Sequence, residues 1–384
     1  MNFASFWVLD PSVRYLNHGS FGACPSAVLE LQSALRLEME REPVDFLVAK
    51  LPARIDAARQ ALAGFVGADP QDLAFVANAT AGVNAVLRSL RLEPGDELLV
   101  TNHTYAACRK TVDFVAALTG ARAVVAALPF PCAHEDEIVA AVLKCVSRRT
   151  RLALLDHVTS PTALILPVSR LVRDLDALGV DTLIDGAHAP GMVPLALSAL
   201  GAAYYTGNAH KWLCAPKGAA FLHVRRDRQA HLHPTVISHG YPNGFRAEFD
   251  WTGTGDPTPW LCIPEAIRFL GGLLPGGWPQ VMHANRDLAI RARALLLEAC
   301  AIEAPCPEIM LGSMASIPLP TPAPGSPAQR LDYKGLHDWF RERGIETWVY
   351  PHPVALLRVS AQLYNRPEEF ANLATLLAEA LHGK

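Results

Sequence analysis

Asp185 and Lys211 are the residues best placed to do chemistry in this chain. The acid opens Asp185-Gly186-Ala187-His188; the lysine closes Tyr204-Tyr205-Thr206-Gly207-Asn208-Ala209-His210-Lys211 and is followed by Trp212. A lysine amine can condense with an aldehyde, and a carboxylate a strand and a turn upstream can hold a pyridine nitrogen protonated. Together they meet the demands of pyridoxal 5'-phosphate, whose ring accepts electrons from a substrate carbanion. Only seven of the 34 basic residues are lysines, so few compete for the role. Tyr204, Tyr205, Trp212 and Leu213 would desolvate the amine and favour its neutral, nucleophilic form. Lys217 is the rival, but its place in Pro216-Lys217-Gly218 suits solvent. Taken singly, Asp185 reads as a strand-end turn cap and Lys211 as a surface lysine. It is their combination with the segment 216–222 that makes the pattern specific.

Thr80 follows the apolar run Leu73-Ala74-Phe75-Val76 and opens a helix. Free N–H groups and the helix dipole make such a start an anion site, as well as an ordinary capping position. Arg358 lies in a short apolar strand, on the face of Leu356 and Ser360, and needs a charged partner there. That partner is either a substrate carboxylate, gripped through two N–H groups, or a structural acid. His231, His233 and His239 could suggest a metal. Their loop-like setting, with no carboxylate or cysteine partner, reads instead as solvated histidines, and no metal is expected. Neither a GxGxxG after a strand nor a GxxxxGK[ST] is present.

The elements that must position these residues follow an alternating pattern. Strands are predicted at 73–76, 97–101, 123–127, 152–156 and 182–185, with helices at 81–91, 107–118, 136–146 and 168–178 between them. This is a βαβα series, an α/β fold with a mostly parallel sheet between helices. Ligands in such sheets lie beyond the carboxyl ends of strands, where Asp185 and the Asn78-Ala79-Thr80 turn both fall. After Asp256 the composition shifts: helices at 259–273 and 281–300, a proline-rich stretch 305–327 read as an ordered irregular loop, a further helix, strands at 345–350 and 355–360, and a last helix from Pro367. The division expected is an N-terminal segment 1–20 lining the active site, a large domain 21–256 and a smaller α/β domain 257–384.

A chain of 384 residues with 51% hydrophobic and 18% charged residues can bury a large core. With 34 basic and 37 acidic residues and no basic block, it is not expected to bind nucleic acid. The start, Met1-Asn2-Phe3-Ala4-Ser5, does not read as a signal peptide, and Arg122 and Asp156 interrupt the longest apolar runs, so no membrane span is expected. Eight cysteines without CxxC pairing point to reduced thiols in the cytoplasm.

Tyr15-Leu16-Asn17-His18-Gly19-Ser20-Phe21-Gly22, Asn78-Ala79-Thr80, Asp185-Gly186-Ala187-His188, Thr206 to Trp212, Trp251-Thr252-Gly253-Thr254 and Arg358 to Asn365 run in order along nearly the whole chain. On these segments the chain resembles the class V aminotransferase group of fold type I pyridoxal-phosphate enzymes, in particular its isopenicillin N epimerase-like branch. The resemblance implies a seven-stranded-type sheet and assigns roles. Lys211 carries the cofactor and Asp185 meets its ring nitrogen. Asn78, Ala79, Thr80, Asn208 and His210 hold the phosphate, and Tyr105 stacks on the ring over Ala187. His188 stands where relatives often have glutamine, and Ser160 where desulfurase-type relatives have asparagine. Arg358 grips the α-carboxylate, Asn17 and His18 line the entrance, and Thr254 reaches the phosphate of a second subunit in a homodimer. Lys211 would then be the base for the α-proton. The implied activity is that of an amino-acid epimerase, with a C–S or β-lyase or an aminotransferase as the alternative. A desulfurase is disfavoured because 344–353 has no cysteine. A non-catalytic cofactor-binding protein would be expected to have lost Lys211 or Asp185.

Overall fold

The computed structural model describes residues 3–351 and 355–383. Seven strands form one sheet in the order 73–76, 220–224, 204–208, 181–185, 150–156, 97–101 and 122–126. The five strands from 204–208 outward to 122–126 run parallel to one another; 220–224 is antiparallel to both of its neighbours. Side chains alternate across a strand, and here both faces are covered. Leu98, Val100, Leu152, Leu154, Leu183 and Leu222 pack on one side, while Leu99, Ala153, Leu155, Ile184 and Phe221 pack on the other.

Expected and observed elements agree closely where apolar runs are bounded by turn residues. The strand Glu97–Thr101 has the expected limits, and the helices run over Ala79–Ser89, Ala106–Thr119, Glu135–Leu143 and Val168–Asp176. The first of these starts before Thr80, because Asn78 is the capping residue: its Oδ1 accepts the Ala81 N–H at 2.8 Å. The helix expected over 259–273 is two, Thr258–Leu261 and Ile263–Gly272, with Pro264 in the first turn of the second. The proline-rich stretch is not all loop. Met314–Pro318 is a strand, antiparallel to Leu356–Ser360, which also pairs with Trp348–Tyr350 in a second, three-stranded sheet. Its interior, Met314-Ala315-Ser316-Ile317, is free of proline, so flanking prolines had masked a ladder that they do not break.

The N-terminal segment is tied to this C-terminal part. Arg14–Tyr15 pairs in parallel with Ile345–Glu346, the Leu16 N–H bonds to Glu346 O at 2.9 Å, and the Ser360 N–H bonds to Leu16 O at 2.8 Å. Among the described residues no helix is long and apolar enough to cross a membrane.

Candidate active site

The carboxyl ends of the parallel strands open into a cavity of about 570 Å³ whose wall includes Asp185, Lys211, Tyr105, Asn78, Asp156 and Ser160. The site is built from the sheet upward. Asp185 ends the strand Asp181–Asp185 and is 5% exposed. Its Oδ1 accepts the Ala187 N–H at 3.0 Å, and its Oδ2 accepts the Cys108 thiol at 3.2 Å. Burial pushes its pKa up, and the Ala187 N–H, Cys108 and Lys211 hold that rise in check.

Lys211 follows the strand Tyr204–Asn208 on a loop, with Nζ 3.2 Å from His188 Nε2. Desolvation, helped by the nearby Arg358 and opposed by Asp185 and Cys108, lowers its pKa from 10.5 to about 7. The amine is thus a usable nucleophile near neutral pH. His188 is buried and its pKa is driven well below the ordinary value, mainly by desolvation and then by Lys211. A neutral ring that accepts from the amine at Nε2 carries its proton on Nδ1, a buried atom with no hydrogen-bond partner.

The helix Ala79–Ser89 aims its N-terminus at the same space. Asn208 Oδ1 accepts the Ala79 N–H at 2.8 Å, leaving the Asn208 amide N–H groups as donors. Helix and strand come this close because residue 82 is glycine: a Cβ there would lie 2.4 Å from Thr206 Oγ1. His210 donates from Nδ1 to Ala219 O at 3.0 Å, so its neutral ring offers only an acceptor at Nε2. Burial and Lys211 lower its pKa to about 4. An anion beside it acts the other way and favours the imidazolium, the form that can serve a phosphate.

Arg358 is 1% exposed, and no acidic residue pairs with it among the described residues. Nη1 bonds to Ser160 O at 2.8 Å and to Ser160 Oγ at 3.1 Å; Nη2 bonds to Ser20 Oγ at 2.8 Å and to Asn17 Oδ1 at 3.3 Å. Its Nε is buried with no partner, and the Tyr350 ring centroid lies 5.1 Å from its guanidinium carbon. A buried cation held only by neutral groups is an incomplete pair, with room in its chemistry for a carboxylate.

Four expected residues are not on the cavity wall: Arg358, which bonds to the wall residues Ser160 and Ser20, Asn17, which bonds to Arg358 and Ser20, and His18 and Thr254, which sit elsewhere. His18 is fully buried behind Lys211 and does not line an entrance: Nε2 donates to Lys211 O at 3.0 Å, and Nδ1 accepts the Tyr364 hydroxyl at 2.8 Å. Burial lowers its pKa to about 3, so it is a neutral brace for the lysine loop. Thr254 lies on an exposed turn. Asn17 is buried, its amide donating to Glu346 Oε1 at 3.0 Å and its oxygen turned to Arg358. Tyr105, 45% exposed, and Ala187 are on the cavity wall. Lys217 is exposed, as its turn suggests, and donates to Gly22 O. Gly22 crosses the lysine loop so closely that a Cβ would lie 2.5 Å from both His210 O and Lys211 O. Of the three loop histidines, His233 does have a carboxylate partner, Glu248 Oε2 at 2.7 Å, but the described residues hold no group of three potential metal ligands. Sequence reasoning missed Asp156, Cys108, Ser20 and Tyr350. Asp156 carried a usable signal, an acid at the end of an expected strand, 152–156.

The family model for aminotransferase class-V matches residues 40–257. Isopenicillin N epimerase of Streptomyces clavuligerus is 38% identical, over 98% of this chain and 97% of that protein. The chain belongs to the class-V aminotransferase family. A probable chloroplastic L-cysteine desulfhydrase of Arabidopsis thaliana is 32% identical, over 95% of this chain and 82% of that protein. Among solved structures, the cystine C–S lyase C-DES superposes with a TM-score of 0.83 at 21% identity, over 96% of this chain and 98% of that one. The Escherichia coli cysteine desulfurase CsdA gives 0.78 at 21%, over 99% and 97%. The fold is that of these enzymes. Membership makes the chain a pyridoxal-phosphate enzyme, and its residues fit the cofactor: a carboxylate, a low-pKa lysine, a donor-bearing helix start and His188 line one cavity.

The low pKa of Lys211 costs stability. Below pH 7 the amine is protonated in both folded and unfolded chains, and the penalty of burying its charge is fully present. Between pH 7 and 10.5 the unfolded chain keeps the proton that the folded chain has lost, so stability rises with pH. Cofactor-free Lys211→Met is therefore expected to exceed the parent in urea unfolding at pH 6–7 by a few kcal/mol, at about 1.36 kcal/mol per pKa unit. The gap should close towards pH 10.5; a gap that is constant with pH would show that the amine is not the cause.

Proposed function

We propose that this protein is an amino-acid epimerase that moves the proton on Cα of a substrate held by Arg358. The observation that carries the reading is a buried guanidinium with no acidic partner among the described residues, near an amine whose pKa is lowered to about 7. The cofactor, when bound, supplies the electron sink that makes a Cα bond breakable. Arg358 fixes the α-carboxylate, with Ser160, Ser20 and Asn17 holding the fork in place. Lys211 takes or returns the α-proton at Nζ, and His188 holds that amine at 3.2 Å. With the cofactor bound, Asp185 would meet the ring nitrogen, Thr80, Asn78, the Asn208 amide and His210 would hold the phosphate, and Tyr105 would cover the ring.

The name of the 38%-identical Streptomyces relative supports epimerisation. Among the described residues the cavity wall has no cysteine, which speaks against persulfide transfer. A C–S or β-lyase is the second reading, favoured by the desulfhydrase names of relatives at 32% and 36% identity. A panel of amino acids incubated in deuterium oxide separates them. Cα deuterium with inverted optical rotation supports the epimerase; pyruvate, ammonia or sulfide release transfers the assignment to a lyase, and keto-acid accumulation to an aminotransferase. The reading includes a homodimer, with Thr254 on its exposed turn reaching a second subunit; a monomer mass in sedimentation would remove it. It also keeps the protein in the cytoplasm, a reducing compartment where eight free thiols persist.

A further inference from the structure

Asp156 ends its strand in register with Asp185 on the neighbouring parallel strand, so two carboxyl groups stand side by side at the floor of the cavity. They are 3% and 5% exposed. Asp185 is occupied on both oxygens, by the Ala187 N–H and the Cys108 thiol, whereas Asp156 Oδ2 is buried with no N–H, O–H or S–H donor to accept from. The groups facing Asp156 are Asp185, the backbone N–H groups of Tyr105 and of Asp156 itself, and, more distantly, the Cys108 thiol; no cation is among them. His157, next in the chain, turns away, with Nδ1 2.8 Å from Tyr205 Oη. Lys211 acts on Asp185 and Cys108 instead. Two adjacent buried carboxylates with one nearby amine cannot both ionise cheaply. Desolvation and then Asp185 accordingly drive the Asp156 pKa well above the carboxylate range.

We propose that Asp156 and Asp185 act as neighbouring carboxyls at the ring-nitrogen end of the cofactor site, Asp185 ionised towards the ring nitrogen and Asp156 protonated. Asp156 is a positioning residue: as a neutral acid it keeps a second negative charge away from Asp185 and fills polar space that a smaller side chain would leave to water. The inference rests on reading Asp185 as the partner of the ring nitrogen.

The test uses the full chain and pyridoxal 5'-phosphate alone, with no substrate. Cofactor affinity and the visible absorbance as a function of pH are measured for Asp156→Asn, Asp156→Ala and Asp185→Asn, with thermal unfolding as a folding control. The infrared spectrum of the loaded parent minus Asp156→Asn is also recorded. Asparagine matches a neutral acid in shape, so Asp156→Asn should stay within about threefold of the parent affinity and keep its spectrum. Asp156→Ala should lose tenfold or more in affinity and shift the pH at which the band changes. The difference spectrum should contain a protonated-carboxyl C=O band. The proposal is overturned if that band is missing, if Asp156→Asn is as damaged as Asp185→Asn, or if Asp156→Ala behaves as the parent. An unperturbed Asp185→Asn would instead remove the underlying assignment of Asp185.

Discussion

Lys211→Ala is expected to lower turnover by on the order of 10⁴-fold, the upper range for loss of a positioned general base. The variant should still fold, because Lys211 makes its structural contacts through the backbone: its carbonyl accepts from His18 Nε2 and from the Cys214 N–H. Borohydride reduction of loaded parent protein should leave the cofactor mass on the peptide containing Lys211, and none there in the variant. Lys211→Arg should be as inactive as alanine, since a guanidinium does not become neutral in this range. Cofactor mass on Lys217 instead, or turnover within tenfold of the parent, would remove Lys211 from its role.

Arg358→Ala comes second in size. A fully buried charge that pairs with a ligand carboxylate is worth roughly 2–5 kcal/mol when truncated, so kcat/KM should fall on the order of 10²- to 10³-fold, mostly through KM. Arg358→Lys keeps the charge but loses the planar fork now spread over Ser160, Ser20 and Asn17, and should fall between parent and alanine. Amines without a carboxylate should be processed alike by parent and variant, which separates substrate grip from structural damage. An unchanged KM with a lowered melting temperature would make Arg358 a structural residue.

Much of the fold was legible because strands covered on both faces read as apolar runs, as in Leu73–Val76 and in Leu98-Leu99-Val100 of Glu97–Thr101. Met314–Pro318 was not, since its prolines lie at and beyond its ends and proline density dominates such a window. At the site, Asp185 and Lys211 stand on the same cavity because each follows or ends a strand of one sheet, a relation that spacing carries. The adjacency of Asp156 and Asp185 depends on strand order and register, neither of which spacing encodes. The Cys108 contact depends on how the helix Ala106–Thr119 lies against those strands. His18 marks a different limit: a polar residue near a catalytic loop reads the same whether it faces ligand or braces the backbone, and here Tyr364 and Lys211 O occupy both ring nitrogens.

The threading of residues 14–17 between Ile345–Glu346 and Ser360 has a consequence for biosynthesis. The cavity residues from Asn78 to Lys211 leave the ribosome well before Arg358, while Asn17 and Ser20, made first, must wait for it. Asn17 and Ser20 can therefore be set beside Arg358 only after the two extremities of the polypeptide meet.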